Sequence, residues 1–193
     1  MIEIKKPDLR VISVDIFGTS PLICHKWSEK AKKEMLDKQM GKPKVKAFKD
    51  PEKDYRESLY ELPSGGYGFP AVAFKNAAVR AASNLDITMV QARQMFFVIA
   101  DEADLIQING EPSMREDMVR LNGKTADIRY RGEFREWTAT LKIRYNAGVI
   151  TDEQVVNLFS LAGFSVGIGE WRPEKNGSFG CFTLFEEEAV QVA

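Results

Sequence analysis

The stretch from Asp117 to Tyr145, DMVRLNGKTADIRYRGEFREWTATLKIRY, decides the fold. Asp117 to Leu121, Thr125 to Tyr130 and Phe134 to Tyr145 are apolar-rich runs separated by Asn122-Gly123 and Arg131-Gly132. Asn-Gly is a strong hairpin signal, so the stretch reads as an antiparallel meander. Its last run places Trp137, Ala139, Leu141, Ile143 and Tyr145 on one parity and Thr138, Thr140, Lys142 and Arg144 on the other. With a side-chain period of two, one face is core and the other cationic. Arg120, Arg129, Arg131 and Arg135 lie close by, and guanidinium groups grip phosphates bidentately and stack on bases. The competing reading pairs them with Glu116, Asp117, Asp127, Glu133 and Glu136.

Upstream, Leu9 to Gly18 alternates Ile12, Val14 and Ile16 against Ser13 and Asp15, the pattern of a first strand. Ser28 caps a helix to about Met40, with Trp27, Ala31 and Met35 along a narrow apolar side. From Gly41 to Lys53 periodicity is lost, and Lys42, Lys44, Lys46, Lys49 and Lys53 surround Val45 and Phe48. This is either a solvated loop or a basic arm whose aromatic residue suits a nucleobase. Tyr55 to Leu62 is a short helix or strand. The segment AVAFKNAAVRAAS, Ala71 to Ser83, is a helix packing through Phe74, Ala77, Ala78 and Ala81. Lys75 falls in its early turns, where a cation opposes the helix dipole and is better tolerated beside a bound anion. Asp86 to Met95 forms a further helix, and Phe96 to Ala100 and Leu105 to Asn109 read as strands.

Downstream, Thr151-x-x-Gln154 is a capping box opening a helix that ends at Gly163 as its cap. The stretch GFSVGIGEWRPEKNGSFGCF, Gly163 to Phe182, then interleaves glycines with anchoring aromatic and aliphatic residues, and a last strand runs from Phe179 to Phe185. Trp171, Arg172 and Lys175 stand in its middle. Two readings compete: a hairpin turn between strands, or a loop whose open backbone N–H groups and cations receive phosphates. Gly177 is expected to need positive φ, which a β-branched residue resists. The fold class is α+β, an antiparallel sheet with helices on one face and a basic insertion at about 24–53, in a single domain over residues 1–193.

Composition bounds function. The chain has 193 residues, 44% of them hydrophobic, and a net charge of -1, so a core is available and nucleic-acid affinity must come from a local patch. With two separated cysteines and no charged-then-apolar leader, the expected compartment is the cytoplasm. His25 is the sole histidine, which argues against a zinc site or a Ser/His/Asp triad. Neither a Walker loop nor a dinucleotide fingerprint is present. No metal or cofactor is expected.

Three stretches, in order, resemble the RAMP superfamily, the RNA-recognition-motif-like subunits that form the backbone of multisubunit CRISPR effector complexes. GYGFPAVAFKNAAVRAA, Gly66 to Ala82, resembles the family's strand-to-helix motif through Pro70, Phe74, Lys75, Ala77 and Arg80, with Ala71 and Asn76 where the motif has glycine. MVRLNGKTADIRY, Met118 to Tyr130, resembles a segment preceding a long strand, and Gly167, Gly169, Gly177, Phe179 and Gly180 resemble the C-terminal glycine-rich loop. The Gly68-Phe69-Pro70 and Gly169 to Lys175 signatures are also similar to those of phage and prophage proteins, which implies a viral origin. The resemblance implies a ferredoxin-like sheet, single-stranded nucleic acid as partner, and head-to-tail self-association along the strand. Lys75, Arg80, Arg172 and Lys175 would touch that strand, and the arm of Lys42 to Lys53 would separate bases or bind a neighbour.

The leading expectation is a non-catalytic protein coating single-stranded RNA or DNA. A virion or host-interaction protein, using the arm and Trp171 for protein contacts, is the second. The third is a metal-dependent endoribonuclease, implied by the position of Asp54 upstream of the Gly-Phe-Pro stretch.

Overall fold

In the computed structural model, residues 6–43, 48–121 and 125–184 are described. The first strand, β1 (Leu9–Gly18), lies beside the long strand of the meander, β9 (Thr138–Asn146), antiparallel, with Val11 opposite Arg144 and Ser13 opposite Lys142. β5 (Phe96–Ile99) flanks β9 on the far side, and β10 (Phe182–Thr183) flanks β1, giving the order β10-β1-β9-β5. Helix α3 (Ala71–Ala81) connects β1 to β5 across β9, and α5 (Asp152–Ser165) connects β9 to β10 across β1. The result is two interleaved crossovers on one antiparallel sheet, and both helices pack on the same face.

That face is the core. Ala139, Leu141, Ile143 and Tyr145 of β9 are buried with Phe74, Ala77, Ala78 and Ala81 of α3 and Val155, Leu158, Phe159 and Ala162 of α5. The alternating parity of the sequence thus holds along β9, whose Thr138, Thr140, Lys142 and Arg144 look away from the helices. The small residues of α3 let it lie close to α5. Capping boxes at Thr151 and at Thr88, which opens α4 (Met89–Met95), satisfy first-turn N–H groups.

The stretch read as a meander is split between two sheets: β9 belongs to the main sheet, and its other two strands build a second one. β7 (Pro112–Leu121) pairs with β8 (Thr125–Phe134) in one long hairpin, and β2 (Leu22–Ile23) adds to β8. The Arg131-Gly132 turn of the sequence reading is corrected: both residues lie inside β8, and the chain turns only after Phe134. Gly132 is required for close approach, since a Cβ there would lie 2.2 Å from Leu59 Cδ2, while its N–H donates to Ser58 Oγ at 2.7 Å. Ser58 ends α2 (Pro51–Ser58), which packs on this hairpin. A third small sheet joins β3 (Tyr60–Glu61), β4 (Tyr67–Pro70) and β6 (Leu105–Ile108).

Other expectations need correction. Gly163 is not a cap, because α5 continues to Ser165 and Gly163 is the point where it meets β10; a Cβ there would stand 1.9 Å from Phe182 O. The strand expected over Phe179 to Phe185 shortens to Phe182–Thr183 among the described residues. Helix α1 (Glu29–Gln39) does start from the Ser28 cap, yet Trp27, Met35 and Leu36 are exposed, so its apolar side meets no core. Asp54 lies within α2. No helix among the described residues is long and apolar enough to cross a membrane.

Candidate nucleic-acid interface

The glycine-rich stretch is a helix-to-strand connection, which replaces the hairpin reading. It is tied down from within. The N–H groups of Ile168, Glu170, Gly177, Phe179 and Gly180 donate to Gly180, Ile23, Arg172, Trp171 and Pro21 carbonyls, so these amides are spent on the loop's own architecture and are not open to a phosphate. Gly177 is needed for a reason other than positive φ: a Cβ would fall 1.7 Å from Trp171 O. The loop faces α3 across a cleft of about 300 Å³ lined by His25, Asn76, Arg80, Glu170, Arg172 and Glu174, among others. Two of the three stretches that carried the resemblance therefore meet.

The cations of this cleft are paired. Glu174 accepts from Arg80 at 2.5 Å and from Arg172 at 2.8 Å, and Arg172 also donates to Gly169 O at 2.9 Å. Glu170 contacts His25 Nδ1 at 3.3 Å, and that hydrogen bond, opposed by burial and aided by the charge on Arg131, holds its carboxyl below the ordinary value. Lys175 is exposed and has no ion-pair partner among the described residues. Trp171 is exposed at the loop's tip, its ring 5.9 Å from the Arg131 guanidinium.

For Arg129, Arg131 and Arg135 the paired reading prevails. Arg131 is 2% exposed and bonds Asp117 at 3.2 Å; Arg115 bridges Asp117 and Glu133; Arg129 pairs with Asp127. Lys49 anchors the end of the arm to β8 through Asp127 at 2.7 Å and the Ile128 carbonyl, and this ammonium is the main cause of the lowered Asp127 pKa. Lys42 pairs with Asp37, and Phe48 is 99% exposed. Lys44 and Lys46 lie outside the described residues. Asp54 borders a groove with Arg129, Tyr130 and Arg131.

The open face of the main sheet differs. Lys142 pairs with Asp101 at 3.2 Å, but Lys75 and Arg144 have no carboxylate partner among the described residues, and both converge on Phe97. The register that sets Phe97 opposite Arg144 brings that guanidinium 5.8 Å from the ring centroid, and the Lys75 ammonium stands 3.9 Å from it. Phe97 is 46% exposed on the edge strand β5, with Val11 and Ile99 exposed nearby on the same face. Burial first, then the charge on Arg93, lowers the Lys75 pKa. An anion bound there would oppose both effects. Beside this cluster, Pro70, Val72, Lys75, Val98 and Ala100 line an open hollow of about 680 Å³. Sequence reading found Lys75 and Arg144 but not Phe97, although its parity with Ile99 on a short strand was the available signal. It also missed Glu174, whose role depends on contacts far apart in the chain.

No family model and no curated protein matches the chain. Solved structures similar to it include the following two. The crystal structure of Cmr6 from Pyrococcus furiosus aligns at a TM-score of 0.46 and 10% identity over 92% of this chain and 99% of that one. A chain in the cryo-EM structure of the Type III-B Cmr-beta complex bound to cognate target RNA aligns at a TM-score of 0.54 and 10% identity over 92% of this chain. The present chain spans 59% of that second chain, and the likeness is one of fold.

Proposed function

We propose that this protein is a non-catalytic RNA-binding subunit of the RAMP type, built as a single domain with a ferredoxin-like core and holding a single strand across the open face and the β5 edge of its main sheet. The observation that carries this reading is the convergence of two carboxylate-free cations, Lys75 and Arg144, on the exposed Phe97 ring. An aromatic ring offers a stacking platform to any base, and flanking cations neutralise the phosphates on either side. The order β10-β1-β9-β5 with its two helix crossovers supports the ferredoxin-like assignment. The fold likeness to a chain of an RNA-bound complex supports RNA as the partner and neighbouring subunits as the setting. The arm based on α1, with its exposed apolar side, is proposed as the contact to the next subunit along the strand.

Fluorescence anisotropy with labelled single-stranded RNA at several salt concentrations tests the proposal. Binding that weakens steeply with salt, and that falls when Lys75→Ala and Arg144→Ala are combined, is the expected result. Each phosphate contact contributes roughly 0.7 to the slope of log affinity against log salt, so the double variant should lower it by about 1.4. Salt-independent binding, or none, overturns the reading.

A further inference from the structure

The carboxylate of Glu174 is held as a bound anion would be. Arg80 Nη1 approaches it from α3 at 2.5 Å, and Arg172 supplies Nη2 at 2.8 Å and Nε at 3.0 Å from the loop. Two guanidinium groups gathered on one pair of oxygens is the donor geometry that recognises a phosphate. The carboxylate comes from the short 3-10 turn Pro173–Lys175, between the two arginines and at the border of the cleft. Glu174 is 17% exposed, whereas Arg80 remains 52% exposed, so a second anion can reach this guanidinium while the carboxylate is still in place. An ion pair with so exposed a member is worth little in net free energy, and exchange of one anion for another is correspondingly inexpensive.

Resting on the RNA-binding reading above, we propose that Arg80 and Arg172 form a phosphodiester seat that Glu174 fills in the free protein and vacates when a strand enters the cleft. The site is thereby autoinhibited: the seat contributes little until a backbone phosphate competes the carboxylate away. The arginines are the receptors, Glu174 is the placeholder, and the loop's internally satisfied amides keep Arg172 in position. The strand held at Phe97 would supply the phosphate, since Val72 borders both the cleft and the hollow beside Lys75.

The test is RNA binding by Glu174→Gln, with Glu174→Asp and Glu153→Gln beside it and thermal melts of each. Removing the placeholder should tighten binding roughly three- to tenfold, the value of about one net hydrogen bond, and steepen the salt slope by about 0.7. Glu174→Asp keeps the charge but loses reach, so a smaller gain is expected from it; this variant decides the matter should Glu174→Gln fail to fold. Glu153 is exposed at the start of α5, away from the seat, and its neutralisation should change nothing. Arg80→Ala with Arg172→Ala should abolish the gain of Glu174→Gln while weakening the otherwise unaltered protein only slightly. If the unaltered protein binds RNA and folded Glu174 variants bind no better, or if Glu153→Gln gains as much, the seat is a plain structural bridge and the proposal falls while the RNA-binding reading stands. Absence of RNA binding in every variant removes both.

Discussion

The glycine-loop cleft and the edge of the main sheet carry the same kinds of residue, yet they stand in opposite electrostatic states. In the cleft, Arg80 and Arg172 are satisfied by Glu174 and His25 by Glu170, so its donors are spent on holding a helix, a strand end and a loop together. At the sheet edge, Lys75 and Arg144 rest over a ring and have no carboxylate among the described residues. What separates the two is the identity of the partner. A cation paired with a carboxylate gains a phosphate in exchange for that pair, while one over an aromatic face can add a phosphate and keep its contact. Residue type alone ranks the cleft and the edge as equal binding surfaces, and the partners rank the edge first.

The largest effect should come from breaking the cleft's architecture. Gly177→Val places a side chain where the Trp171 carbonyl already is, so the loop must deform, at a cost of about 1–3 kcal/mol or more. A thermal melt should show a marked loss of stability, and binding measured below the new midpoint should survive because Phe97 belongs to another element. Equal melting of the variant and the unaltered protein would show that the loop yields freely and that its amides do not fix it.

The next effect belongs to the edge. Phe97→Ala removes a stacking platform worth about 1–3 kcal/mol per base, or roughly five- to hundredfold in affinity, and the half-exposed position makes little demand on stability. Unchanged RNA affinity in a folded Phe97→Ala protein would remove the edge from the interface and return the comparison to the cleft.

Much of this architecture was legible because it depends on local pattern. The bounds of β1, the Ser28 cap, the Thr151 capping box and the parity of β9 all follow from residues within one or two turns of each other. The failures share a different cause. Arg131-Gly132 carries a turn signal, but Leu59 and Ser58 of a distant segment pack over Gly132 and keep it in strand. Gly163 stands where a cap would be, but its missing side chain serves the approach of β10. The site followed the same rule. The cations could be named from the sequence, whereas their carboxylates, such as Asp127 for Lys49 at a separation of 78 residues, required the fold. Phe97 was hidden because a strand of four residues shows too little alternation to reveal which side is wet.

The smallest effect gives the sharpest comparison, because it weighs two cations of one loop against each other. Arg172→Ala with Lys175→Ala would remove two phosphate contacts if both residues were free, lowering the salt slope by about 1.4 on a single strand. The structure predicts about half of that. Arg172 is paired with Glu174 and bonded to the Gly169 carbonyl, so a phosphate seated there only replaces one anion by another, whereas the exposed Lys175 neutralises a phosphate outright, and the slope should fall by about 0.7. Lys175→Ala alone should reproduce the whole change, and Arg172→Ala alone should act mainly on the melting temperature, since it unties the turn from Gly169 and Glu174. A slope that drops equally for each single variant would mean that Arg172 takes a phosphate without giving up Glu174, and that the cleft is as available to RNA as the edge.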